Sequence, residues 1–115
     1  MTQEDQYAII GKAHEDYHAA KREFAAIQAR GGKIAESAHN LAEAIMDPVR
    51  VVVPEGNEGV VLAGVRNPFL FGPAVAEQFT QDYVRQHVKD YKSTKQKLAA
   101  LRQQLISLGQ PDPER

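Results

Sequence analysis

The apolar and polar positions divide the chain into two helical stretches and a shorter segment between them. Residues 1–47 and 73–109 carry apolar residues at helical spacing among charged and polar ones. Residues 48–72 are rich in valine, glycine and proline, and 110–115 form a polar tail that we expect to be flexible. The pattern predicts a mainly α fold: a single elongated module in which a small β-hairpin lies between the two long helices of an antiparallel, coiled-coil-like helical hairpin.

Short signals mark where each helix begins and ends. The pairs that begin a helix are Thr2 with Asp5, which resemble a capping box, and Gly72 with Pro73, which places proline at the first helical position. The pairs that end one are Asp47 with Pro48 and Gly109 with Pro111. We therefore expect one helix over 1–47 and a second over 73–109.

Both helical stretches carry a heptad repeat. In the first, the 3-4 spacing holds at Ile10, Ala13, Tyr17, Ala20, Phe24, Ile27, Gly31, Ile34, Ala38, Leu41 and Ile45. In the second, it holds at Val84, His87, Tyr91, Thr94, Leu98, Leu101, Leu105 and Leu108. Such a stripe, here called the seam, is the surface by which one helix packs on another. The alternative is a buried face in some other helical arrangement.

The glycine pair at Gly31-Gly32 interrupts the first stretch. Two glycines inside a helix cost about 2 kcal/mol relative to alanine, and such a pair can mark a turn. The phase of the seam nevertheless continues from Ile27 to Ile34, and no proline, asparagine or aspartate accompanies the pair. We therefore expect a continuous or kinked helix, with a true break as the alternative.

A register follows when the two stripes are laid antiparallel. Facing seam residues whose numbers sum to 121 or 122 pair small side chains with large ones, and Gly31 then faces Tyr91. In this register His87 falls opposite Ile34, where we expect a hydrogen-bonded histidine. The predicted helix–helix contacts are made by Tyr17, Phe24, Gly31, Tyr91, Leu98, Leu101 and Leu105.

The charges of the two helices support their pairing. Residues 1–47 carry five Lys/Arg and eight Asp/Glu, a net charge of −3, and residues 73–109 carry six and three, a net charge of +3. Helices of opposite sign attract modestly, within a chain or between chains. This complementarity explains the basic stretch from Lys89 to Arg102 more simply than nucleic-acid binding does.

The segment between the helices predicts a β-hairpin. Strands over 49–53 and 60–65 flank a turn over 54–59, and both strands are apolar on nearly both faces. A two-stranded hairpin is marginal alone, and exposed β-branched residues favour pairing with another chain. Burial of the hairpin within the chain, by residues 67–73 and the helix ends, is the alternative. The linker 67–71 is aromatic-rich and should bury its rings against the hairpin or a second chain. The predicted partner-binding residues are Val49, Val51, Val53, Val60, Val61, Leu62, Phe69 and Phe71.

One stretch, His14-Glu15-Asp16-Tyr17-His18, has the H-E-x-x-H spacing of zinc-dependent proteases. Tyr17 lies on the seam, Asp16 places a charge where those enzymes have an uncharged residue, and no third-ligand motif follows. We interpret the stretch as a solvent-facing, dispensable helix surface. The alternative is a metal site formed by His14, His18 and His39 with Glu15 and Glu36, since both E-x-x-H pairs have the spacing of metal-binding helical bundles.

Composition narrows the chemistry further. The chain of 115 residues has no cysteine and a formal net charge of −1, so disulfides, thiolate chemistry and a global attraction to nucleic acid are excluded. The first residues are acidic where a signal peptide needs bases, and no stretch is apolar enough to span a membrane, so we expect a cytoplasmic protein. No phosphate-binding loop or nucleophile motif is present, and no cofactor is predicted.

The order helix, β-hairpin, helix in about this length resembles the β-type subunit of prefoldin, a hexameric holdase. The resemblance is one of layout, covers the whole chain, and implies that strands assemble subunits while helices present surfaces to clients. We therefore expect a non-enzymatic, homo-oligomeric coiled-coil interaction module (a scaffold, adaptor, inhibitor or prefoldin-like holdase) with a protein partner or client. The alternative is a metal-binding helical-bundle protein or enzyme that uses the histidines named above.

Overall fold

The computed structural model describes residues 2–46, 48–52, 60–64 and 68–115. Six elements follow one another along the chain, and the protein is mainly helical, with two long helices packed against each other. The helices are α1 (Gln3–Met46), α2 (Pro73–Gln78) and α3 (Gln81–Ser107). The strands are β1 (Pro48–Val52), β2 (Val60–Gly64) and β3 (Pro68–Phe71).

The start of α1 has the predicted capping box. The backbone N–H of Thr2 donates to Asp5 Oδ2 at 3.3 Å, and the backbone N–H of Asp5 donates to Thr2 Oγ1 at 3.2 Å. The helix then runs through Gly31 and Gly32 to Met46, so the prediction of a continuous or kinked helix, with no true break at the glycine pair, is confirmed. Asp47, the predicted stop, lies outside the described residues.

The end of α3 is a complete Schellman motif. The N–H of Gln110 donates to the carbonyl of Leu105 and that of Gly109 to the carbonyl of Ile106, both at 3.0 Å. Gly109 has φ of 79°, a left-handed conformation that glycine adopts without steric cost. The predicted helix end at this glycine is therefore confirmed, as is the start of α2 at the Gly72 N-cap with proline in its first turn.

The prediction of a single helix over 73–109 is wrong, because the structure has two helices in this range. α2 ends at the C-cap residue Phe79, and α3 begins after Thr80. Thr80 Oγ1 donates to the carbonyl of Glu77 at 2.8 Å and accepts the N–H of Tyr83 at 3.3 Å. A threonine that satisfies the first N–H groups of the next helix favours a new start at this point.

The three strands form one antiparallel sheet in the order β1-β2-β3. Val52 of β1 pairs with Val61 of β2, and Val61 pairs in turn with Leu70 of β3. The register of β1 shifts between Pro48 and Arg50. Residues 53–59, which contain the predicted turn, lie outside the described residues, so the hairpin as a closed unit stays a prediction. Strand β3 falls in the segment expected to be a linker.

The chain divides into two compact units, and the first comprises Met1–Gln28 with Val88–Arg115. Its core is built from Ala13, Tyr17 and Leu105, all nearly inaccessible to solvent, with Leu98, Leu101 and Leu108 packed against them. Ala20, Ile27 and Thr94 are buried too. These are predicted seam positions, so the seam is the buried face of the helices in this unit.

The second unit comprises Ala29–His87 and contains the three-stranded sheet. Near the end of α1 the buried residue is Ala44, whereas the predicted seam residue Ile45 is 62% exposed. A straight α-helix drifts by about 20° per heptad relative to a 3.5-residue repeat, so a stripe counted in heptads leaves the buried face within a few turns. The seam assignments of Ile45 and of Val84, which is 41% exposed on α3, are therefore wrong.

Gly31 does not face Tyr91 as the predicted register requires. A Cβ atom at Gly31 would lie 3.0 Å from His87 Nε2 and 3.2 Å from His87 Cε1. Tyr91 instead packs on Phe24, with ring centroids 5.2 Å apart. The numbers of the facing residues sum to 118 for Gly31 with His87 and to 115 for Phe24 with Tyr91, below the predicted 121 or 122 by about one and two helical turns. A heptad repeat fits such registers too, because each shift of one turn again places seam on seam.

Within the described part of the chain, no helix is long and apolar enough to cross a membrane.

Candidate functional site

The predicted partner-binding residues lie on all three strands. Val49 and Val51 are on β1, whereas Val60, Val61 and Leu62 are on β2 and Phe69 is on β3. Val53 lies outside the described residues. Phe71, the last residue of β3, is half-buried, and its ring is stacked on that of Phe79 with centroids 6.4 Å apart and planes 10° apart. This contact joins the end of the sheet to the junction of α2 and α3.

The sheet has one central strand and two edges. β2 pairs with a neighbour on each side, while β1 and β3 each pair only with β2 among the described strands. Each edge strand begins with a proline, Pro48 or Pro68, which cannot donate a hydrogen bond. The residues that follow carry backbone groups able to pair with a further strand.

The HEDYH stretch is only partly solvent-facing. His18 and Glu15 are exposed as predicted, but Tyr17 is buried and His14 is half-buried. His14 Nε2 lies 3.1 Å from Gln110 Oε1 and donates to it, because an amide oxygen can only accept. The expectation of a solvent-facing helix surface therefore does not hold for His14, which the tail residue Gln110 contacts.

The histidines of the metal hypothesis have other neighbours in the structure. The rings of His14 and His18 lie 6.5 Å apart and nearly parallel, and His39 Nε2 lies 3.2 Å from Glu43 Oε1 on the surface of α1. Across the described residues, no three His, Asp or Glu side chains come together in a group able to hold a metal ion. Glu36 is exposed.

His87 is hydrogen-bonded, as predicted, and its partner on α1 lies one turn before Ile34, the residue that the predicted register places opposite it. Arg30 Nε donates to His87 Nδ1 at 3.0 Å. Because Nδ1 accepts this bond, the proton of the neutral imidazole is on Nε2, the atom that lies against Gly31. The absence of a side chain at Gly31 therefore leaves the space that the imidazole occupies.

The tail 110–115, which the sequence predicts to be flexible, folds back and bonds to the helices of its unit. Arg102 binds Asp112 through two parallel hydrogen bonds, from Nε to Oδ1 at 2.8 Å and from Nη2 to Oδ2 at 2.6 Å. This fork geometry matches a guanidinium to a carboxylate and is the strong form of such a pair. The hydrogen bonds from Arg102 lower the pKa of Asp112 to about 2.

The hydroxyl of Tyr17 is the second anchor of the tail. It donates to the carboxylate of Glu114, while the ring is part of the buried core. Burial, followed by the hydrogen bond to Glu114, raises the pKa of Tyr17 to about 12. A buried tyrosine needs a partner for its hydroxyl, and the tail supplies it.

The sequence did contain a signal for these contacts. The tail reads Gln-Pro-Asp-Pro-Glu, so polar residues at 110, 112 and 114 alternate with prolines at 111 and 113. Proline disfavours a helical conformation of the residue before it, so a tail of this composition is restricted in shape. Nothing in the sequence, however, identified His14, Arg102 and Tyr17 as its partners.

The basic stretch of α3 makes ordinary contacts between and along the helices. Lys97 Nζ lies 3.6 Å from Glu23 Oε2 on the surface, and Lys95 Nζ lies 5.9 Å from the ring centroid of Tyr91. Exposed pairs of this kind contribute little to stability.

Comparisons of the chain with protein-family models, with curated proteins and with solved structures found no match. Function is therefore inferred from the contacts described above.

Proposed function

We propose that the chain is a non-enzymatic protein–protein interaction module that joins to a second copy of itself through an edge of its sheet. The supporting observation is a three-stranded antiparallel sheet whose two outer strands each have one neighbour among the described strands. Backbone N–H and C=O groups on an outer strand pair readily with another strand. Two copies that meet along the same edge form a twofold interface, the commonest kind in homo-oligomers.

The composition of the strands supports this role. The sequences PVRVV, VVLAG and PFLF include a single charged residue, Arg50. Edge strands of monomeric proteins are commonly protected by charges and prolines. Here these amount to Arg50 in the middle of β1 and one proline at the beginning of each edge strand. Valine, leucine and phenylalanine also favour the flat, partly buried surface of a sheet.

Exposed apolar side chains of the same unit add to the argument. Ile45 and Met46, at the end of α1, are 62% and 86% exposed, and Val84 is exposed on α3. Single apolar residues at a surface are common, but a pair next to an apolar sheet in the chain favours burial by a partner. With strands that join subunits, the helices are left to present surfaces to a client, scaffold or inhibited complex.

Sedimentation velocity over a range of concentrations tests the proposal. The wild-type chain is expected to sediment as a dimer or larger species, and Val51→Lys on β1 is expected to shift it towards the monomer, because a lysine on an edge strand opposes pairing. Val88→Lys on α3 is the matched control: it makes the same substitution at an exposed helical valine and should leave the sedimenting mass unchanged.

Two results would contradict the proposal. A wild-type chain that stays monomeric at every concentration would show that the sheet is not a self-association surface. A Val51→Lys protein with the wild-type mass and a lower melting temperature would show that β1 stabilises the fold without joining copies.

A further inference from the structure

The tail contacts its own helices in the way that a short peptide contacts a receptor. Its polar residues at 110, 112 and 114 bond, in that order, to His14, Arg102 and Tyr17. The receptor groups all belong to α1 and α3, and the ligand groups all belong to the six residues that follow Gly109. Receptor and ligand are thus separate parts of one unit.

The ligand side is organised by its own sequence. Pro111 and Pro113 fix their own φ angles and restrict the residues before them, Gln110 and Asp112. Asp112 Oδ1 also accepts the N–H of Glu114 at 3.0 Å, an Asx turn that presents the next carboxylate. A segment that is restricted before binding loses less entropy when it binds.

The receptor side is held by the core beneath it. The Tyr17 ring and Leu105 are fully buried, so the position of the tyrosine hydroxyl is set by the packing of the two helices. Arg102 lies one turn of α3 before Leu105, and its guanidinium offers the planar fork that recognises a carboxylate. Recognition of acidic segments by arginine is a common mode of peptide binding.

We propose that the face formed by His14, Tyr17 and Arg102 is a docking site for an acidic, proline-bracketed peptide of a protein partner, and that residues 110–115 occupy this site in the same chain. The partner segment carries a carboxylate for Arg102 and a second, two residues later, for Tyr17. Because the chain's own tail is tethered beside the site, its effective concentration is high and it competes with the partner. This inference does not depend on self-association through the sheet.

Fluorescence anisotropy with a labelled Gly-Gln-Pro-Asp-Pro-Glu-Arg peptide tests the proposal on the full chain. In the Asp112→Ala/Glu114→Ala protein the tail loses both carboxylates, so the peptide should bind at least tenfold more tightly than it binds to the wild type. The matched control is Glu36→Ala/Glu43→Ala, which removes two surface carboxylates elsewhere and should bind like the wild type. A peptide with Asn and Gln in place of its acids should not bind.

The role of the proposed receptor is tested by adding Arg102→Gln to the variant with the disabled tail, which should abolish binding. If the Asp112→Ala/Glu114→Ala protein does not fold, as judged by circular dichroism, the single Asp112→Asn variant replaces it. A smaller gain in affinity for the peptide is then expected. A folded variant that binds the peptide no better than the wild type overturns the proposal. Binding that survives Arg102→Gln also overturns it, because the peptide would then occupy another surface.

Discussion

Gly31 and Gly32 are neighbours in one helix, but the structure gives them different surroundings. A Cβ atom at Gly32 would meet nothing within 4 Å, whereas one at Gly31 would lie 3.0 Å from His87 Nε2, closer than the ordinary contact range of 3.4–4 Å. The substitution Gly→Ala is therefore expected to have different effects at the two positions. Replacing a glycine inside an exposed helix by alanine stabilises the helix by about 1 kcal/mol.

At Gly32 that gain should be realised in full. At Gly31 it is opposed by overpacking against His87, which costs about 1–3 kcal/mol in a packed site. His87 can retreat only by straining the hydrogen bond from Arg30, and such a bond is worth about 0.5–1.5 kcal/mol. We expect Gly31→Ala to be neutral or destabilising by up to about 2 kcal/mol, so that the two alanine variants differ by about 1–3 kcal/mol.

Chemical denaturation of the two single variants, followed by circular dichroism, measures this difference. In a chain of this length 1 kcal/mol also corresponds to about 4 °C in melting temperature. A double-mutant cycle then identifies the cause: in a His87→Ala background, Gly31→Ala should recover the gain of about 1 kcal/mol, because the obstructing imidazole is gone. Equal stabilisation by both alanines in the wild-type background, or no change in the His87→Ala background, would refute the contact.

Three further predictions concern the tail, the start of α3 at Thr80, and the histidine pair His14 and His18. The tail contacts should stabilise the protein within a pH window. The lowered pKa of Asp112 gives stability that is present above pH 4 and lost as the pH falls towards 2. The raised pKa of Tyr17 gives stability that is present below pH 10 and lost as the pH rises towards 12. Melting temperatures measured across this pH range should show both losses, and an Asp112→Asn protein that loses as much stability in acid as the wild type would contradict the first. Thr80→Ala should cost about 1 kcal/mol in denaturation experiments, because Thr80 caps α3, whereas Thr80→Ser should be nearly neutral. His18→Ala should leave the melting temperature within a few degrees of the wild type, whereas His14→Ala should lower the free energy of unfolding by about 1 kcal/mol through the lost bond to Gln110. Stoichiometric zinc in the wild-type protein that is lost in His18→Ala would instead favour the metal-binding hypothesis.

The helix ends were predictable because the interactions that make them are local. The capping box at Thr2 and Asp5, the helix start at Gly72 and the end at Gly109 each depend on residues within five positions of one another. The seam of the first unit was predictable for a related reason, since the helical period places Tyr17 on the apolar face of α1 and Leu105 on that of α3. The cap at Thr80 is also local, and its Thr-Gln-Asp sequence is a start signal that the apolar pattern obscured.

The tertiary structure alone decided which residues face one another. A seam of regular spacing accepts registers that differ by one turn, so sequence could not choose between Tyr91 and His87 as the neighbour of Gly31; the space at Gly31 and the bond from Arg30 distinguish them in the structure. The tail site was hidden for the same reason. Arg102 and Asp112 are ten residues apart and Tyr17 and Glu114 are 97 apart, and contacts at such separations depend on the packing that brings the helices together.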